Sequence, residues 1–149
     1  MKIILLSLIA STFIYFQTSN EVEFAGKKIK VAAYYEIFNN GIESNQNSLY
    51  WWKFTDAMVS KGEYKKSLAE MNGNMNDIKD TARKVKLISF GDTLKGFRYM
   101  RKSNGVAVYN IIASGVVNKQ QIIISYSSNF DPNSNSKFDP TIKKFIKLK

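Results

Sequence analysis

Residues 85–128, VKLISFGDTLKGFRYMRKSNGVAVYNIIASGVVNKQQIIISYSS, constrain the fold more than any other part of the chain. Four short apolar runs lie in this stretch, at 87–90, 96–101, 106–113 and 121–126. β-Branched and aromatic residues dominate each run, and Gly, Asp, Asn, Lys and Ser fill the gaps. That pattern predicts an antiparallel meander forming the main sheet. In the third run Val106, Val108 and Ile112 alternate with Ala107, Tyr109 and Ile111, so the strand is apolar on both faces. A strand of that kind is central and covered on both sides. In the fourth, Ile122, Ile124 and Tyr126 face the core, while Gln121, Ser125 and Ser127 do not.

The segment before the meander is less regular. Val22 and Phe24 alternate, Gly26 turns the chain, and Ile29, Val31, Ala33 and Tyr35 alternate again, as in a first strand or a hairpin. Residues 39–48 read as a polar loop. In SLYWWKFTDAMV, strand geometry sends Leu49, Trp51 and Lys53 one way and Tyr50, Trp52 and Phe54 the other. Ser60 and Glu63 have capping-box spacing before a helix carrying Tyr64, Leu68 and Met71 on one face. Asn74 caps a second helical stretch with Met75, Ile78, Ala82 and Val85 at helical spacing. Asp139 followed by Pro140 starts a final helix over 140–147. Ile142, Phe145 and Ile146 form its apolar face, and Lys143, Lys144 and Lys147 its solvated one.

The N-terminus supplies an address. Lys2 precedes an uncharged, mostly apolar run over 3–16, followed by small and polar residues. This reads as a secretory signal occupying 1–19, with a single domain over 20–149. The run is short for a membrane span. The expected location is the periplasm or the cell exterior. The chain has no Cys, so the domain is held by its core and not by disulfides.

The absence of both His and Cys narrows the chemistry. Serine–histidine and cysteine–histidine machinery is excluded, as are histidine and thiolate metal sites. No acidic run has calcium-loop spacing, and no glycine motif cradles phosphate. The expectation is a non-enzymatic protein with no cofactor. A net charge of +10 directs it toward acidic partners: another protein, an envelope component, or an anionic membrane surface. Export argues against nucleic acid. The partner-binding candidate is the aromatic run Tyr50, Trp51, Trp52 and Phe54, since such side chains bury large area at interfaces. The competing reading makes Trp51 and Trp52 two sides of one core strand. Two further functions remain open. One is a cell-wall glycan hydrolase using a pair of the 12 carboxylates. The other is a carrier of a small apolar ligand in a cavity between sheet and helices.

Several of these features coincide in one order. Gly96 precedes Phe97 and Arg98, Asn104-Gly105 turns into a Val-rich strand, Tyr126-Ser127 ends a strand, and FDPTIKKFIKLK closes the chain. Over 85–149 the chain resembles the PsbP/DcrB-like fold family, named for an extrinsic photosystem II subunit and a bacterial envelope protein. The resemblance implies an α+β fold in which a twisted antiparallel sheet is packed with α-helices. It also implies a binding or assembly role and carries no catalytic motif; a small, basic, exported domain without a cofactor further fits a toxin-immunity or envelope-assembly role.

Overall fold

A computed structural model describes residues 20–73 and 81–149. Its main element is a mostly antiparallel sheet, and two short helices make the fold α+β. The strands are β1 (Glu21–Phe24), β2 (Lys27–Lys30), β3 (Glu36–Phe38), β4 (Gly41–Glu43), β5 (Asn47–Phe54), β6 (Arg83–Ser89), β7 (Asp92–Ser103), β8 (Val106–Val117), β9 (Gln120–Ser128) and β10 (Lys147–Leu148). The helices are α1 (Asp56–Ser60) and α2 (Glu63–Gly73). Eight strands form one sheet in the order β10-β6-β7-β8-β9-β5-β4-β3, every neighbouring pair antiparallel. The pair β1–β2 is a separate hairpin.

The meander forms because its turns match its twist. Ala25-Gly26, Phe90-Gly91, Asn104-Gly105 and Asn118-Lys119 are two-residue connections with positive φ at both positions. That geometry continues the right-handed twist of the flanking strands. Asn118-Lys119 lacks glycine and is held from outside. The Asn118 side chain donates to the Ala25 carbonyl at 2.8 Å, and its backbone N–H donates to Asp92 Oδ2 at 2.8 Å. One asparagine thereby fastens the β1–β2 hairpin to the end of the sheet.

The sheet is covered on both sides, and the strand period sorts the residues between them. On the hairpin side, Leu49, Trp51, Leu87, Leu94, Ile111, Ile122, Ile124 and Tyr126 meet Val22, Phe24 and Ile29 from β1–β2. Phe138, Ile142, Phe145 and Ile146 from the C-terminal segment complete that core. On the helix side, Phe54, Tyr99, Ile112 and Ile123 lie under Met58, Tyr64, Leu68 and Met71. The predicted two-sided burial of β8 holds at Ile111, Ile112 and Ala113, whereas Val106 at its far end is 61% exposed.

Several expectations need correction. The strand carrying the aromatic run ends at Phe54, and Thr55 caps α1, accepting from the Met58 N–H at 3.2 Å. Ser60 closes α1 and does not open α2; Gly62, at φ +80, separates the two helices. The loop at 39–48 contains β4 and the first residues of β5, because Gly41 and Tyr50 pair across the strands. The expected second helix extended to Val85, yet Arg83 and the residues after it are strand β6; residues 74–80 lie outside the described residues. The final helix shrinks to a 3-10 turn at Ile142–Lys144, after which Lys147 and Leu148 pair with Ile88 and Leu87. Its apolar residues do reach the core, and Asp139 does cap the turn, accepting from the Ile142 N–H at 2.9 Å. The expected lysine stripe is dispersed: Lys144 donates to the Lys30 carbonyl, and Lys147 stands on the edge strand.

Candidate functional site

The aromatic run does not form one surface. Trp51 is 1% exposed, stacked on Phe145 (centroids 5.7 Å apart) and edge-on to Phe24 (5.2 Å). Phe54 is buried on the opposite face, edge-on to Tyr64 of α2 at 5.4 Å. Tyr50 lies flat over Gly41, where a Cβ would fall 2.2 Å from its ring. Its hydroxyl donates to Glu43 Oε2 at 2.7 Å. An aromatic ring over a glycine in the facing strand restores the contact that the missing side chain forfeits. Trp52 is half-buried against the helix-side core. Only Tyr50 and Trp52 keep accessible surface, on the helix side of the sheet, with Phe38 beside Tyr50 at 6.0 Å.

A polar cluster pins the C-terminal segment on the hairpin side. The Tyr35 hydroxyl sits between Asn47 Oδ1, at 2.6 Å, and the Asp139 carboxylate. Asn47 Nδ2 donates to Asp139 Oδ2 at 3.2 Å. Every member has a partner within the cluster, which joins β5 to the C-terminal segment. Burial, and then the bond to Asp139, hold the Tyr35 hydroxyl well above its ordinary range. Burial also raises Tyr99, and pushes Tyr126 up to about 12. The sign follows directly. The folded state favours the neutral phenol, while the unfolded phenol loses its proton near pH 10. For Tyr126 the stabilisation is complete below pH 10 and is lost as pH rises through about 12. A tyrosinate absorbance titration run beside circular dichroism is expected to show these three ionising only as the fold melts. Simple titration of every tyrosine near pH 10, with the fold intact, contradicts this account.

The concave feature with the strongest chemical character is a cleft of about 600 Å³ between α2 and the β6–β8 part of the sheet. Leu68 and Asn72 of α2 form one wall, and Phe97, Ile112 and Ser114 form the floor. The Tyr64 hydroxyl donates to Ser114 Oγ at 2.9 Å, fixing the helix to the sheet beside it. Lysines stand around it. Lys84 and Lys86 are two apart in β6 and share a face; Lys86 is directly opposite Lys95 in β7, and Lys84 is opposite Phe97. The Lys149 N–H donates to the Lys86 carbonyl at 3.0 Å, which places the chain's last residue at the rim. The ion pairs among the described residues, Lys53–Glu23 and Arg98–Asp131, involve none of these four lysines. Lys84, Lys86 and Lys149 also border a second groove of about 480 Å³, with Arg83 and Arg98.

Gly96 shapes this site. A Cβ there would lie 1.8 Å from the Ile112 carbonyl oxygen and 2.6 Å from Ala113 Cα, both backbone atoms of β8. The strands approach this closely only because the residue has no side chain. Lys95 and Phe97 flank it and both face the cleft.

Sequence reasoning missed these lysines. Lys84 fell in a stretch read as helix and Lys86 just past its end, so their two-residue spacing carried no meaning. In a strand the same spacing aligns them, and only the β6–β7 register adds Lys95. Among the described residues no group of three His, Cys, Asp or Glu converges as metal ligands, and no helix is long and apolar enough to cross a membrane. Of the described cavities, the one beside Arg98 and Tyr109 carries a single carboxylate, Asp131, and the one beside Asn47 carries only Glu43. Comparison with known protein families, with curated proteins and with solved structures finds no match for this chain.

Proposed function

We propose that this chain is a small exported, non-enzymatic binding protein of the periplasm or cell exterior, and that its binding element is the lysine-ringed cleft beside α2. Its partner is an acidic macromolecule or envelope component. The observation that carries the reading is the cleft itself: an apolar floor of Phe97 and Ile112 bounded by four lysines without ion-pair partners among the described residues. A cavity of this size with a few converging charged groups is the usual form of a ligand site. The carboxylate-pair hydrolase has no pair of acids in any described cleft to support it. The cleft is open, so it holds a ligand in contact with solvent and does not enclose one. The PsbP/DcrB-like resemblance, resting on the motifs over 85–149, accords with a binding or assembly role. The signal-like N-terminus at 1–19 supports export.

A second reading is favoured by the position of Tyr50 and Trp52. They remain part-exposed on the helix side beside Phe38, which is 38% exposed, and form an aromatic row able to meet a protein partner.

One experiment separates the two. Material retained from an envelope extract by the purified protein is compared with that retained by K84E/K95E and by Y50A/W52A, all checked for folding by circular dichroism. The expected result is loss of the retained component in K84E/K95E alone. Loss in Y50A/W52A alone transfers the function to the aromatic row, and equal retention by all three removes both surfaces.

A further inference from the structure

We infer that the cleft beside α2 binds an anionic amphiphile: a carboxylate or phosphate head held by Lys84, Lys86 and Lys95, with its apolar chain lying along Phe97, Ile112 and Leu68. This inference rests on the reading of the cleft as the binding element and adds the chemical class of what enters it.

The charge arrangement is the first reason. Residues directly opposite in an antiparallel pair approach within about 5 Å at Cβ, and like charges so placed destabilise the pair. Lys86 and Lys95 are placed in that way, with Lys84 on the same face of β6. No acidic side chain among the described residues forms an ion pair with them. An anion bridging the pair removes the repulsion, and an ammonium is a strongly hydrated point charge suited to a carboxylate or phosphate head. The three are exposed at the rim, so a head group can reach them without moving the backbone.

The floor is the second reason. A site for inorganic phosphate or a sugar acid needs polar groups throughout, whereas this one places Phe97, Ile112 and Leu68 directly behind the lysines. Phe97 and Leu68 are only part-buried. Each methylene a ligand buries there contributes about 0.8 kcal/mol. The competing account treats the lysines as solvated charges that keep a sheet edge from pairing with other chains. On that account they have no preferred ligand, and their removal changes solubility alone.

The test is calorimetric titration of the purified protein with decanoate, with decanol and with inorganic phosphate, beside sedimentation with vesicles of phosphatidylglycerol or phosphatidylcholine. Saturable 1:1 decanoate binding is expected, with decanol and phosphate each weaker by about tenfold or more. K84Q/K95Q is expected to reduce decanoate affinity by about tenfold while leaving the circular dichroism spectrum unchanged. Leu68→Gln, on the wall of the cleft, is expected to weaken decanoate and leave phosphate unaffected. Lysine-dependent sedimentation with phosphatidylglycerol but not phosphatidylcholine identifies a bilayer lipid as the source, and decanoate binding without sedimentation identifies a free amphiphile. Equal affinity for decanoate and phosphate, or no lysine-dependent binding to decanoate or to phosphatidylglycerol, overturns the inference. If that happens while K84E/K95E still loses the envelope component, the cleft remains the binding element and only the ligand class is wrong.

Discussion

Trp51→Ala is expected to cost about 3–5 kcal/mol, the range for truncating a large buried aromatic side chain. Single domains are stable by about 5–15 kcal/mol, so this change alone brings the protein close to unfolding at ordinary temperature. The magnitude follows from position. Trp51 occupies the centre of the hairpin-side core and touches both Phe24 of β1 and Phe145 of the C-terminal segment, so its removal loosens both covers from the sheet. Trp52, half-buried on the other face, is expected to cost about 1–2 kcal/mol when replaced by alanine. Urea denaturation of both variants measures the difference. Each variant retains a single tryptophan, so its emission reports the environment of the residue that remains: blue-shifted for Trp51, red-shifted for Trp52. A Trp51→Ala protein within 1 kcal/mol of the parent (about a fivefold change in the folding equilibrium) would contradict the packing described.

Gly96→Ala is expected to be the second severe substitution, costing about 3 kcal/mol or more although it adds only one methyl group. The added carbon would overlap the Ile112 carbonyl and Ala113 Cα, and backbone cannot rotate aside as a side chain can. The strands must part, which loosens the pairing of β7 with β8 on either side of Ala113. The substitution also shifts Lys95 and Phe97, so any variant that still folds is expected to lose ligand affinity as well as stability. Gly105→Ala is a useful control: unlike Gly96 it has a positive φ to contend with, but no atom lies within 4 Å of its added Cβ. A smaller loss at Gly96 than at Gly105 sinks the close-approach argument.

The sequence was most informative where local rules and tertiary pairing agree. Asn104-Gly105 announced its hairpin, and the alternation of Ile122, Ile124 and Tyr126 announced the buried face of β9. The opposite faces assigned to Trp51 and Trp52 follow from strand period alone, and the register of β5 against β9 agrees. It was least informative where two periods fit one stretch. Ala82 and Val85 continue a helical spacing, yet Arg83, Lys84, Val85 and Lys86 also alternate, and the partner strand β7 decided between them. Gly41 looked like loop because glycine weakens strands; the Tyr50 ring lying over it supplies the missing contact from nine residues away across the turn. At the C-terminus the spacing of Ile142, Phe145 and Ile146 was read correctly as one apolar face, but a single turn suffices to bury them, and the edge of β6 then claims Lys147 and Leu148. The cleft was illegible for a related reason: its lysines come from β6, β7 and the chain terminus, and no local pattern joins residues that distant.

The C-terminal segment has a consequence for how the molecule is made. Phe138, Ile142, Phe145 and Ile146 fill the core that β1–β2 begins, and β10 pairs with β6 at the sheet's outer edge. A chain growing from its N-terminus therefore carries Phe24 and Trp51 without their Phe145 neighbour until residue 145 has emerged. Contacts that span the chain are slow to close and leave apolar surface open in the interval. The hairpin-side core therefore cannot close until residues 138–146 have been made, and the earlier strands wait for them.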